Sequence, residues 1–219
     1  HLDAGSLPQK GESGYSNTPT TWTDSSGYGN NGTISSCEFD SELGNFLNFN
    51  SGTSEVTYPN NLVGLDGIAT AEIWARGTSL TSPVFTDILI TNCGSSNFNF
   101  VIFTTAGGLT ARVSNSSNTV ATDVSYSLSN FNANDWYHIA ATYSGASNPV
   151  KLYINGELVN QGIAQSTLRV VNAQSTIGAD PGADNFTWDG QIGQVRIYSS
   201  TLTQDQIRQN YNFTKNNYP

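Results

Sequence analysis

Apolar and polar residues alternate along most of this chain, in short runs separated by Gly, Asn, Ser and Pro. A period of two sends one set of side chains to a core and the other to the opposite face of a pleated strand. The pattern predicts strands over 46–50, 55–58, 68–76, 87–91, 97–104, 109–114, 136–143, 150–154, 176–179 and 191–199. Asn155-Gly156, between KLYI and ELV, tolerates the positive φ angles of a type I′ turn, so 150–154 and 157–160 should form a hairpin. Helical signals gather only at the end of the chain. In TLTQDQIRQNY, Thr203 can cap and Gln206 follows three residues later, completing a capping box. Asp205 and Arg208 suit the helix dipole. This short helix is expected on the sandwich edge, held by Ile207 and Tyr211.

Many short strands with turn signals between them favour a sandwich or barrel over a parallel α/β sheet. Residues 1–20 read as a short apolar N-terminal strand and a Gly, Ser and Pro-rich loop joining the sandwich, which occupies 21–219. A length of 219 residues suits one such domain.

Composition narrows the class of partner. Only 11% of residues are charged, against about 25% in an average globular protein, and Gly, Ser, Thr and Asn are abundant. A net charge of -9 repels phosphate backbones and anionic headgroups, and no basic run exists, so neither nucleic-acid binding nor membrane insertion is expected. The chain has no methionine, even at position 1, which points to a processed or excised piece, and no signal-peptide pattern stands at 1–14. Cys37 and Cys93 form one disulfide if they meet in an oxidising compartment, and are otherwise two buried thiols. Four matches to the N-glycosylation pattern begin at Asn31, Asn115, Asn185 and Asn212, as chance alone would give in so Asn-, Ser- and Thr-rich a chain.

Several segments, in order, resemble the laminin G-like, concanavalin A-like lectin and glucanase superfamily, particularly its bacterial and phage branch. WTDSSGYGNNGTI at 22–34 is similar to an opening D-S-S-G-x-G-N-x-G-T turn, and FLNFNSGTSEVTYP at 46–59 to an L-x-F-D-G strand pair. IATAEIWAR at 68–76 and WYHIAATYSG at 136–145 resemble the family's two Trp-bearing strands, and KLYINGELV its L-Y-V-N-G hairpin. GQIGQVRIYSSTLTQDQIRQNYN at 190–212 resembles G-x-I-D-E-V-R-I-Y-N-x-x-L-S-x-E-E-I. The resemblance implies an all-β, antiparallel jelly-roll β-sandwich with one short C-terminal helix. It also implies a structural calcium in many members, held partly by an acid in the last long strand. This chain has Gly193 there, and Asn50 replaces the carboxylate of the F-D-G turn, which weakens the case for Ca²⁺.

Glucanases on this fold carry carboxylates at alternate strand positions, about 5–5.5 Å apart in retaining enzymes. ATAEIWAR offers only Glu72, expected to face solvent. His138, the only internal histidine, has no G-x-S-x-G elbow to serve and reads as a packed or surface strand residue. Carboxylates concentrate instead in ADPGADNFTWDG at 179–190, either as a solvated acidic turn or as a site. As a site, its ligand-binding residues would be Trp188, Asn185, Asp184 and Asp180, the exposed indole stacking on a sugar face. Asp189 and Asp24 are the candidate Ca²⁺ ligands, although Asp24 in DSSGYGNNG is equally placed to tie the amides of its own turn. Trp74 and Trp136 are expected in the core, while Trp188, Tyr28 and Tyr15 stand where an aromatic is free to stack.

The expectation is a non-catalytic extracellular, cell-surface or virion-surface binding module. Its partner is carbohydrate or a surface protein, in a larger protein or a homo- or hetero-oligomer. A virion decoration or fibre domain and a glycoside hydrolase are the alternatives.

Overall fold

The computed structural model describes residues 1–40, 45–50, 52–58, 68–80, 86–91, 100–114, 120–164, 175–180 and 186–218. Two antiparallel sheets face each other. One contains β1 (Leu2–Asp3), β4 (Glu38–Asp40), β5 (Phe46–Phe49), β7 (Ile68–Gly77), β12 (Tyr137–Ser144), β13 (Pro149–Ile154), β14 (Glu157–Ile163) and β16 (Gly190–Tyr198). Its order is β14-β13-β12-β7-β16-β5-β4, with β1 also on β16. The other contains β2 (Thr21–Trp22), β3 (Gly32–Ser35), β6 (Glu55–Tyr58), β8 (Thr86–Thr91), β9 (Phe100–Thr105), β10 (Gly108–Ser114), β11 (Val120–Tyr126) and β15 (Ser175–Ile177), in the order β11-β10-β9-β8-β15-β6-β3-β2. This is the all-β sandwich the alternation predicts. The sequence pattern missed β2, β3, β4 and β11, and its strand at 97–104 begins outside the described residues.

The pleat decides which side chains meet. On β12, Tyr137, Ile139, Ala141 and Tyr143 enter the core between the sheets, joined there by Ile73, Leu152 and Val195 from the same sheet. Val56, Ile102, Leu109, Val113, Val124 and Ile177 face them from the other sheet. The predicted hairpin is present: Asn155 and Gly156 have φ of 52° and 81°, as a type I′ turn requires. Asn155 Oδ1 also accepts the His138 N–H at 2.9 Å, tying the turn to β12.

The helix α1 (Gln204–Thr214) starts with the predicted capping box: Thr203 Oγ1 accepts from Gln206 N at 3.3 Å, and Gln206 Oε1 accepts from Thr203 N at 2.9 Å. Its position corrects the expectation of an edge. Ile207 packs on Ala140 and Tyr153, side chains of the outer face of the first sheet, so the helix lies across that face. Trp74 and Trp136 are accordingly buried in a second layer with Phe46 and Tyr218, on the outer side of the sheet and away from the inter-sheet core. Two apolar layers on one sheet explain how so many large aromatics are accommodated.

Cys37 is a free, buried thiol, and Cys93 lies outside the described residues. Burial pushes the Cys37 thiol up to about 12, so it behaves as a small core group.

Candidate functional site

The loop at 179–190 is organised differently from its sequence reading. Ala179 and Thr187 form an antiparallel bridge, Asp180 N donates to Phe186 O at 3.0 Å, and Trp188 N donates to Gly178 O at 2.7 Å. The bridge continues strand pairing toward β16, so Trp188 takes the parity of the core residue Ile192 and is only 1% exposed. This corrects the expectation of an exposed indole: Trp188 offers no face to a sugar. Asp180 is buried and Asp189 is exposed, the latter with its N–H donated to Ser79 Oγ at 2.8 Å. Asp184 and Asn185 lie outside the described residues.

Asp24 serves its turn. Its Oδ1 accepts from the His1 amino group at 2.8 Å and Ser26 N at 2.9 Å; its Oδ2 accepts from Ser26 Oγ at 2.7 Å and Asn30 N at 2.9 Å. Four donors fill the acceptor capacity of a carboxylate, so the candidate Ca²⁺ ligand is corrected to a structural anion. Burial opposes the charge, but the amino group, Ser26 and Asn30 overcome it and hold the carboxyl well below the usual carboxylate range. Nor do the described residues elsewhere fit the calcium implied by the family. The Tyr218 ring packs directly on Gly193, the position at which the family pattern leads us to expect an acid, and among the described residues no three His, Cys, Asp or Glu side chains converge on a common point.

The Asp24 turn shapes one wall of a cleft of about 590 Å³. Gly27 and Gly29, with φ of 85° and 75°, carry the backbone through left-handed conformations on either side of Tyr28 and leave that ring 86% exposed. Ser26, Tyr28 and Asn30 line the cleft from the turn, Tyr58 from β6, and Arg196 and Tyr198 from β16, with Ser199 and Ser200 beyond. The loop-like context of Tyr28 predicts an aromatic free to stack, as its exposure shows. Nothing in the sequence joined it to Arg196, because the two are brought together only by β1 and β16 pairing around the Asp24 turn. Tyr15, the other tyrosine expected to be free, packs instead near Phe39 with ring centroids 6.5 Å apart.

Behind Arg196, on the outer face of the same sheet, lies a buried polar cluster that the sequence reading placed in solvent. Glu72 is 2% exposed and His138 3%. Glu72 Oε2 accepts from Tyr198 Oη at 3.0 Å and Asn210 Nδ2 at 2.9 Å. Burial raises the Glu72 carboxyl above the usual range against these bonds, and burial together with the Arg196 charge lowers His138 to about 3. His138 is therefore neutral at pH 7, and its 3.8 Å approach to Glu72 is a dipolar contact, not an ion pair. Asn210 belongs to α1, so the helix closes over this carboxylate.

The comparisons agree with this architecture. A family model described as the concanavalin A-like lectin/glucanases superfamily, of laminin G type, matches residues 50–208, and the chain belongs to that superfamily. Among solved structures, the receptor binding domain of botulinum neurotoxin D is similar with a TM-score of 0.71 at 17% identity, over 95% of this chain and 52% of that one. The botulinum neurotoxin serotype C1 binding domain gives 0.67 at 19% identity, over 90% and 50%. The binding domain of botulinum neurotoxin DC in complex with SialylT gives 0.66 at 18%, over 90% and 49%. The chain thus spans about half the length of these domains, and the likeness shows a shared sandwich fold. No curated protein matches it in sequence. No described helix is long and apolar enough to cross a membrane.

Proposed function

We propose that this chain is a non-catalytic module that binds carbohydrate displayed on an exterior surface, as one part of a larger secreted, cell-surface or virion protein. The cleft beside the Asp24 turn carries the reading: it combines an exposed ring, Tyr28, with hydroxyl, amide and guanidinium groups from Ser26, Asn30 and Arg196. Its volume falls in the range of small-ligand sites, and an aromatic face beside a few polar groups is the usual chemistry for holding a sugar ring. The superfamily contains lectins, and the similar solved domains are receptor-binding ones, which supports binding over structure alone.

Hydrolysis is disfavoured on chemical grounds. Glu72, the carboxylate in the middle of β7, is sealed beneath α1 and lies beyond reach of a substrate. Glycan-array binding of the wild-type chain and of Tyr28→Ala tests the reading. We expect binding that falls at least about tenfold in the variant while its melting temperature stays the same, since Tyr28 has few contacts to lose. A wild-type chain that retains no glycan refutes it.

A further inference from the structure

We propose that the cleft beside the Asp24 turn selects acidic saccharides, with Arg196 and Tyr58 receiving the ligand's carboxylate. This rests on the binding reading above and narrows it to a ligand class.

The first observation is charge. The chain carries 17 Asp and Glu against 8 Lys and Arg, yet among the described residues lining the cleft there is no carboxylate and one guanidinium. The neighbouring acids are already engaged. Asp24 is held by three donors of its own turn, Ser26 N, Ser26 Oγ and Asn30 N, and by the His1 amino group. Glu72, opposite Arg196 in the β7–β16 register, accepts from Tyr198 and Asn210 under the helix. Among the described residues Arg196 forms no salt bridge.

The second observation is hydrogen bonding. Arg196 Nε and Tyr58 Oη are buried polar atoms without a partner, and both residues line this cleft. Tyr58 is 2% exposed, and burial and the Asp24 charge push its hydroxyl well above the usual tyrosine range, so it remains a donor. A neutral sugar hydroxyl both donates and accepts. A carboxylate only accepts, and it matches a guanidinium edge in plane. An orphaned N–H and an orphaned O–H in one cleft therefore suit an acid better than an alcohol. The exposed Tyr28 ring adds a face for the apolar side of a pyranose, which a small inorganic anion would not use.

The test is an array carrying uronic-acid- and sialic-acid-terminated glycans beside their carboxyl-reduced counterparts. It is probed with the full chain and with Arg196→Gln, Arg196→Lys, Tyr58→Phe and Tyr28→Ala, each checked by thermal melting. The wild type should prefer acidic members by at least about tenfold. Arg196→Gln should equalise the two sets, Arg196→Lys should keep part of the preference, and Tyr58→Phe should reduce it. If Arg196→Gln does not fold, the Lys and Phe variants decide. Binding without an acidic preference, lost in Tyr28→Ala, overturns the carboxylate assignment and leaves the binding reading standing. A preference unchanged in Arg196→Lys and Tyr58→Phe also overturns it. No binding anywhere on the array overturns both.

Discussion

The ring of Tyr218, beyond the C-terminal helix, lies 4.7 Å from that of Trp74 in β7, 21° from parallel, although the two residues are far apart in the chain. Trp74 also donates its indole N–H to Thr214 Oγ1 at 2.9 Å, so residues after α1 and the last turn of α1 both close on one strand tryptophan. The outer layer is thus a second core, and its aromatics should carry core energetics. Tyr218→Ala is expected to cost about 2 to 4 kcal/mol in urea unfolding, through lost transfer energy and the cavity left on Trp74. Trp136→Ala, which also removes stacking partners for Arg76 and Phe46, should cost about 3 to 5 kcal/mol. A cost below about 1 kcal/mol for both would mean that the segment 201–218 does not stay docked.

Gly193 makes the same layer testable from below. A Cβ at this position would overlap the Tyr218 ring, so no side chain is accommodated there without moving that ring. Gly193→Ala should therefore destabilise by displacing Tyr218. In the Tyr218→Ala background the same substitution should cost at least about 1 kcal/mol less, because the obstructing ring is gone. Strictly additive costs in a double-mutant cycle would contradict the contact.

Much of this fold was legible in the sequence because the signals were local. The capping box at Thr203, the Asn155-Gly156 turn and the strict alternation of WYHIAATY each depend on residues close together in the chain. β11 was not legible: VATDVSY is rich in Ser, Thr and Asp, and it reads as loop until β10 pairs with it. Trp188 failed for a related reason. Its Asp- and Gly-rich neighbours suggested a surface loop, whereas the Ala179–Thr187 bridge carries strand parity across it. Glu72 failed because alternation identifies the outer face of β7 without saying that a helix covers it. The cleft could not be read at all, since Tyr28 and Arg196 meet only through long-range strand pairing.

Asp24 links the fold to the proposed site. Removing its carboxylate strands the Ser26 and Asn30 N–H groups, and charge-assisted bonds of this kind contribute about 1.5 to 3 kcal/mol. Asp24→Ala should lower stability by about 2 to 3 kcal/mol, and Asp24→Asn, which keeps one acceptor, by less. The turn also sets the position of Tyr28, so both variants should weaken glycan binding more than they change the far edge of the sheet. Hydrogen exchange over 24–31 compared with 150–160 checks this, and equal loss of protection in both regions would show a global effect instead.

The buried pair beneath α1 predicts a specific pH dependence of stability. His138 faces Glu72, the Trp74 ring at 5.3 Å and, from the helix, Tyr211 at 6.0 Å, with Arg196 and Tyr198 contributed by β16. Its pKa in the fold is about 3, below the ordinary 6.5, so between those values the unfolded chain binds a proton that the native chain refuses. Stability associated with His138 is therefore complete above pH 6.5 and is lost as the pH falls toward 3. Glu72 has the opposite sign: its pKa is raised above 4.5 in the fold, so its contribution is complete below 4.5 and is lost as the pH rises. The two oppose each other just above 4.5, where Glu72 keeps its proton in the fold, whereas below 4.5 only His138 of this pair acts. Wild-type stability should accordingly fall most steeply between pH 4.5 and 3, by up to about 1.4 kcal/mol per pH unit from this one group. His138→Gln should flatten that limb, and Glu72→Gln should steepen the rise of stability with pH just above 4.5. Urea unfolding at four pH values from 3.5 to 6.5 reads both slopes; parallel curves for the wild type and His138→Gln would show that the imidazole is protonated in the native state.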